Sequence, residues 1–373
     1  MTIRKILATL LALSMTLSLA ACGGNSTQTD TTAPSEQTEE ISSVSDGSAS
    51  DETTAENTET ETPADETEAS EPAEKVDINL AALSGPTALG MLDLLEKNEN
   101  GEAANNYNVT IATAPDEVTG KIISGELDIA AVPTNVASTL YNKTEGQVQI
   151  AALNTMGVLY VLETGDTIQS VADLAGKTIY ATGQGSTPEY ALNLVLEKNG
   201  LTPGEDVEIV FAADNAEIAP LLASGEAQVA LLPQPFVTSV LTQNENVRVA
   251  LDLTEEWDKA VNGESGLTMG CVVVRKEFAE QNKEALDRFL DEYKQSVETV
   301  TSEEGLAHAA ELAEHYNIIK AAVAEKAIPE CNIVFVEGDE MQQIAGGFLQ
   351  VLYDANPQAV GGQLPNDDFY YKR

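Results

Sequence analysis

Four short turns in this sequence carry the residue types that hold a small polar molecule. They are Ser84-Gly85-Pro86-Thr87, Pro133-Thr134-Asn135, Gly183-Gln184-Gly185-Ser186-Thr187-Pro188 and Gln234-Pro235-Phe236, and each places hydroxyl, amide or aromatic side chains at the opening of a helix. The first backbone N–H groups of a helix lack partners within it. Together with the positive end of the helix dipole, they bind oxyanions and polar ligand edges without a formal charge. One such turn is ordinary capping chemistry, but four on matching edges of an α/β fold point to a binding cleft.

Residues for catalysis or metal binding do not assemble in the same way. Gly176-Lys177-Thr178 imitates the end of a phosphate-binding loop, but position 171 is Val where that loop needs Gly, and the triplet precedes a strand. Gly183-Gln184-Gly185 follows a strand and precedes a helix, as a dinucleotide fingerprint would, yet Pro188 replaces the third glycine. His308 and His315 lie seven apart on one helical face, with no carboxylate or Cys at metal spacing, and read as surface residues. The GxSxG, HExxH and Cys–His nucleophile arrangements are absent from the sequence. The reading is therefore a binding protein and not an enzyme, with no cofactor and no metal.

The elements that must position these turns are visible as an internal repeat. Ser124-Gly125-Glu126-Leu127-Asp128-Ile129-Ala130 is echoed 100 residues later by Ser224-Gly225-Glu226-Ala227-Gln228-Val229-Ala230. In each copy apolar residues at helical spacing (Val118, Ile122 and Ile123; Ile218, Leu221 and Leu222) precede a glycine suited to the left-handed position that ends a helix. A short apolar run follows, of the kind that forms a buried parallel strand, and Pro133 or Pro233 stops it. Strands and helices alternate on both sides of the repeat, which predicts two doubly wound α/β lobes with parallel sheets. Residues 75–174 read as the first part of lobe 1, 175–262 as lobe 2, and 263–373 as a return to lobe 1 ending in helices. In that last part Leu286, Phe289, Leu290, Tyr293 and Val297 make one apolar stripe and Met341, Ile344, Phe348 and Val351 another. The aromatic C-terminal residues, Phe369-Tyr370-Tyr371, should dock on the body.

Composition narrows the partners. The formal charge is −42, and residues 23–74 hold 15 of the 61 acids with no Lys or Arg. The remaining 46 acids still outnumber 17 bases once Arg4 and Lys5 are set aside, which argues against a nucleic-acid partner. Residues 1–22 read as an export signal: Arg4 and Lys5 begin it, an apolar stretch follows, and Leu19-Ala20-Ala21-Cys22 closes it. This ending resembles the bacterial lipobox, in which the cysteine is acylated, so Cys22 is the expected lipid anchor on the outer face of the cell membrane. The Thr/Glu-rich segment 23–74 cannot bury enough apolar surface to fold and reads as a disordered spacer. Cys271 and Cys331 remain, and either one bridge or two inert thiols fits.

Taken in order, the lipobox, the acidic spacer, Ser84-Gly85-Pro86-Thr87, Gly125-Glu126-Leu127-Asp128-Ile129-Ala130 and Leu174-Ala175-Gly176-Lys177-Thr178-Ile179 resemble the extracytoplasmic solute-binding proteins of ABC importers. The chain is most similar to the branch that includes nitrate, aliphatic-sulfonate and thiamine-pyrimidine binding proteins, with the type II periplasmic-binding fold. The resemblance implies two lobes joined by a two-stranded hinge and a ligand clamped between them for delivery to a permease and its ATPase. A monomer is expected. It also implies a first-lobe wall of Ser84, Gly85, Pro86, Thr87, Thr134, Asn135, Asn154, Thr155 and Gly157, facing Gln184, Ser186, Thr187, Gln234 and Phe236. Sulfonate and nitrate receptors would be expected to use a basic residue, and these turns have none. The balance therefore tilts to a neutral or weakly polar ligand, such as a heterocycle stacked on Phe236. Two other classes stay open: a ligand-binding sensor or adhesion lipoprotein, and a pyrimidine-synthase or menaquinone-pathway enzyme on the same fold. The export signal argues against the enzymes, which are cytosolic.

Overall fold

The computed structural model describes residues 74–263 and 265–373. The expectations for the signal, the lipid anchor Cys22 and nearly all of the spacer lie outside those residues. Strand β1 (Asp77–Leu83), the short helix α1 (Pro86–Leu89) and α2 (Leu92–Glu99) lead to β2 (Asn106–Ala112) and α3 (Pro115–Ser124). Then come β3 (Ile129–Pro133), α4 (Thr134–Lys143) and β4 (Val148–Met156). A second run holds β5 (Leu159–Thr164), β6 (Thr178–Ala181), α5 (Thr187–Lys198), β7 (Glu208–Phe211) and α6 (Asn215–Ser224). It continues through β8 (Val229–Pro233), α7 (Phe236–Gln243), β9 (Val247–Asp252) and α8 (Leu253–Ala260). The remainder is β10 (Thr268–Arg275), α9 (Lys276–Gln281), α10 (Lys283–Thr301), α11 (Leu306–His315), α12 (Ala321–Ala327), β11 (Ile333–Val336) and α13 (Gly338–Ala355).

Two sheets result, in the order β2-β1-β3-β10-β4-β11 and β7-β6-β8-β5-β9. Both are mixed, where the alternating pattern alone predicted parallel sheets. β1 pairs in parallel with β2 and β3, but β10 runs antiparallel to β3 and β4. In the second sheet β6 pairs in parallel with β7 and β8, and β5 runs antiparallel to β8 and β9. β5 and β10 are each the first strand the chain lays down after changing sheets, and β11, at the edge of the first sheet, also runs antiparallel to β4. The changes occur at Gly157-Val158 and after α8, so β5, which the sequence boundary at 174 kept in lobe 1, belongs to the second sheet.

The repeated phrase folds alike in both copies. Gly125 and Gly225 both take φ 81°, a left-handed conformation that costs glycine little, and end α3 and α6. Gly125 N–H donates to Ile122 O and Leu127 N–H to Lys121 O, matched by Gly225 to Leu222 and Ala227 to Leu221. Val118, Ile122, Ile218 and Leu222 are buried as their spacing predicts, whereas Ile123 is half exposed because it stands on the helix edge. The helical run that Ser84–Thr87 opens is broken at Gly90-Met91 into α1 and α2. A β-carbon on Gly90 would lie 3.1 Å from Ile333 and 3.2 Å from the Tyr293 hydroxyl, so α10 and β11 press against this break.

One apolar cluster runs from the first sheet (Val132, Ile150, Val273) into the second (Val161, Ile179, Leu231) through Leu192, Trp257 and Phe348. Trp257 of α8 lies 5.6 Å from Phe348 of α13 and donates its indole N–H to Ser265 O at 2.8 Å. The lobes are thus joined by packed hydrophobic surface as well as by chain. At the C-terminus Tyr371 N–H donates to Ile150 O, and Tyr141, Phe369 and Tyr370 form an edge-to-face series, which docks the tail. Cys271 and Cys331 are free thiols, and burial pushes both well above the usual thiol range, leaving them protonated and inert.

Candidate functional site

All four turns sit at the carboxyl ends of parallel strands: Ser84–Thr87 after β1, Thr134 after β3, Gly183–Thr187 after β6 and Gln234–Phe236 after β8. Local chemistry shapes each one. Gly85 has φ 142° and ψ −153°, a region open to glycine, and Pro86 begins α1 with its φ already set. Ser84 N–H donates to Ala112 O, and Thr87 Oγ1 donates to Leu83 O at 2.7 Å. In the second lobe Gly183 (φ 76°) and Gly185 (φ 74°) curl the turn, and Ser186 Oγ donates back to Gly183 O at 2.8 Å.

Asn135 and Thr187 bring the two lobes into direct contact. Thr187 Oγ1 donates to Asn135 Oδ1 at 3.1 Å, while Asn135 Nδ2 donates to Ala359 O at 3.0 Å and reaches Gly185 O at 3.5 Å. Both side chains are fully buried. The first-lobe turn is also braced from beneath, where Thr134 Oγ1 and Thr268 Oγ1 lie 3.1 Å apart and Thr268 in turn reaches Thr155 O. A second contact between the lobes is made by α12 packing on α7.

The other expected wall residues divide. Ser84 and Gln184 are exposed and Phe236 is half-buried, packed against the Leu232 and Val240 side of the second lobe. Ser186 is buried in its own turn. Gln234 turns its side chain back to cap α7, its Oε1 accepting from Thr238 N–H and Oγ1 at 3.1 and 2.9 Å. Asn154 lies inside lobe 1, its Oδ1 accepting from Thr155 Oγ1 at 3.2 Å and its Nδ2 without a hydrogen-bond partner among the described residues. A β-carbon on Gly270 would come within 2.5 Å of Asn154 Oδ1, so the amide lies flat over that glycine, beside the Tyr293 hydroxyl. Gly157 lies at the crossing of the lobes and not on a turn: Asn332 Nδ2 donates to its carbonyl at 3.2 Å, and Thr254 closes over its α-carbon.

Three contributors carry no local signal of a site. Thr268 and Ala359 reach the turns from strands and loops more than 100 residues away in sequence. Tyr160 of β5 stands opposite Asp252 of β9, and its hydroxyl is pushed up to about 12 by burial and then by the charges of Asp252 and Glu330. Glu189 does have a signature, an acid three residues after Ser186 as in a capping box, and its Oε2 accepts from Gly185 N–H at 2.5 Å. His308 and His315 are exposed and pair with Glu96 and Glu99 of α2.

Two mixed sheets of this order, crossed twice by the chain and facing each other with helix-opening turns, define a two-lobed ligand-binding protein. The family profile described as ABC transporter, phosphonate, periplasmic substrate-binding protein matches residues 93–325, and the chain belongs to this family. Among solved structures it is similar to an ABC transporter protein of Parabacteroides distasonis, with 24% identity, a TM-score of 0.66, and 79% of this chain and 99% of that one covered. It is also similar to the periplasmic aliphatic sulphonate binding protein of Escherichia coli, with 14% identity, a TM-score of 0.63, and 79% and 92% covered. The alkanesulfonate-binding protein of Xanthomonas axonopodis pv. citri, bound to MOPS, matches at 16% identity and a TM-score of 0.59, with 79% and 96% covered. These likenesses show the fold. No curated protein sequence matches. The chain is a substrate-binding protein of an ABC importer, and among the described residues no helix is long and apolar enough to cross a membrane.

Proposed function

We propose that this protein is a lipid-anchored, monomeric receptor on the outer face of the cell membrane. It captures a small molecule between its lobes and hands it to the importer's permease and ATPase, with no catalysis of its own. The observation that carries this reading is the meeting of Asn135 with Thr187 and Gly185, which sets two helix-opening turns from different lobes against each other. A ligand entering there would exchange contacts within the protein for contacts with itself. It would thereby bias the two lobes between open and closed arrangements, the usual hinge repertoire of such folds. Thr87, Thr134, Asn135, Gln184, Ser186 and Phe236 are the proposed contacts, with Asn154, Thr155 and Gly157 supporting them from behind. Residues 1–22, 23–74 and Cys22 would supply export, reach and anchorage.

The test uses fluorophores on the exposed positions Glu126 and Glu205, one in each lobe. A transported compound is expected to change the transfer efficiency saturably, and Asn135→Ala to weaken that response. If no compound in a broad panel or in spent growth medium changed it, capture between the lobes would be wrong. Anchorage is read separately: Cys22→Ser should move the protein from the membrane to the soluble fraction.

A further inference from the structure

Helix α5 belongs to the second lobe, whereas α13 packs on β4 and β10 of the first, and a groove runs between these two helices. It consists of two adjoining hollows of about 380 and 190 Å³ that share Leu194, Glu197 and Ala355, the larger being of the usual size for a small-molecule site. None of its lining residues is among the contacts proposed above for the cargo. We propose that this groove is a second binding site, for a small organic cation in which an ammonium group is carried on an apolar body.

Its lining sets that chemistry. Leu194 of α5 and Leu352 of α13 are buried and give it an apolar floor. Asn193 of α5 lines the narrower hollow, and its Oδ1 is buried without a hydrogen-bond partner among the described residues. A buried acceptor left without a donor is destabilising, so this position calls for an N–H from outside the chain. Glu197 and Asp354 line the groove from opposite lobes. Among the described residues Glu197 makes no ion pair, and Asp354 accepts only from Gln350 Nε2 at 2.8 Å, a neutral partner on its own helix. The last residues of α5, α8 and α13 all lie in the lining, so the negative ends of three helix dipoles converge here. Lys198 is the one base in the lining; it is exposed and pairs with neither acid. A carboxylate-bearing molecule would meet like charge, and a wholly apolar one would leave Asn193 unsatisfied. An ammonium on a ring or short chain meets both demands. Because the walls come from both lobes, an occupant would also favour the lobe arrangement that fits it.

The full-length chain is titrated calorimetrically with phenethylammonium and, as the opposite charge on the same ring, with hydrocinnamate. The wild type should bind the ammonium saturably with a Kd below about 1 mM and the carboxylate at least about tenfold more weakly. Two variants locate the site, both at exposed positions and so expected to melt as the wild type does. Glu197→Gln combined with Asp354→Asn removes both charges and should weaken ammonium binding at least about fivefold. Ala355→Trp puts a ring into the part of the groove common to both hollows and should abolish it. A wild-type Kd above about 1 mM would mean that water alone satisfies Asn193 and would overturn the proposal. So would a smaller preference for the ammonium, or either variant, folded, binding it as the wild type does. None of these results bears on capture between the lobes, which the fluorescence response and Asn135→Ala judge separately.

Discussion

Replacing Gly157 by Ala should destabilise the protein by about 1–3 kcal/mol, the usual range for forcing an extra methyl into a packed site. The added carbon would lie 2.1 Å from Thr254 Oγ1, 2.8 Å from Cγ2 and 2.9 Å from Cβ, all inside ordinary van der Waals contact. Turning the Thr254 side chain relieves the first two but leaves the third, so the backbone itself must give. That backbone is the first turn of α8, pinned by Thr254 N–H donating to Asp252 Oδ1 at 2.8 Å. The strain thus falls where the first crossing between the lobes meets the start of α8. Urea unfolding measures the cost, and Thr254→Gly supplies the control by removing all three clashing atoms at a helix-propensity cost of less than about 0.5 kcal/mol. In the double variant the penalty of Gly157→Ala should largely vanish, giving a coupling of more than about 0.5 kcal/mol. A G157A protein as stable as the wild type, or additive effects in the cycle, would refute the claim that this glycine exists to let the first crossing approach α8.

Asn135→Ala should cost about 1–3 kcal/mol, because it strands the buried Ala359 carbonyl and Thr187 hydroxyl. Its double-mutant cycle with Thr187→Val, read by urea unfolding, should show a coupling of about 1 kcal/mol; additivity would mean that the lobes do not hold each other there. Tyr293→Phe should be neutral or stabilising by up to about 1 kcal/mol, since among the described residues the buried hydroxyl makes no hydrogen bond of good geometry while the ring still stacks on Phe289; a loss of more than that in thermal unfolding would show that the neighbouring Asn154 amide holds it. Burial works against the Glu163 charge, but Thr167, Ile168 and Arg248 outweigh it and hold the carboxyl below its usual range. Its contribution is therefore present above about pH 4.5 and lost as pH falls through the lower folded value. Glu163→Gln should flatten the decline in melting temperature below about pH 4.5, and an unchanged acid limb would show that this carboxylate is not responsible.

Much of this architecture was legible in the chain. The alternation of apolar runs, the glycines at 125 and 225, and the prolines at 133 and 233 act over a few residues, so they specify helix ends and strand ends wherever the segment lies. The stripes on α10 and α13 are local in the same sense: Leu286, Phe289, Met341 and Phe348 are all buried. The boundary at 174 was not legible. β5 reads like any buried apolar strand, and only pairing with β8 and β9 decides which sheet receives it. The same holds for Ile123, whose apolar character fits the helix but whose position on the helix edge leaves it to solvent.

What the sequence determined by itself, then, were the properties set by near neighbours: the order of elements, the turns that open α1, α4, α5 and α7, and the lack of a basic residue in them. What tertiary structure alone decided were relations between distant segments. Asn135 and Thr187 are 52 residues apart, Asn135 and Ala359 are 224 apart, and no local rule pairs them. Antiparallel β10 and β5, the close approach of Gly157 to Thr254, and the burial of Asn154 under α1 likewise follow from how two sheets pack once the chain has crossed between them twice. Side-chain chemistry is written one residue at a time. The free energy of packing is shared among segments the chain must first bring together, and for that reason a site between two lobes could be located by its turns but assembled only by the fold.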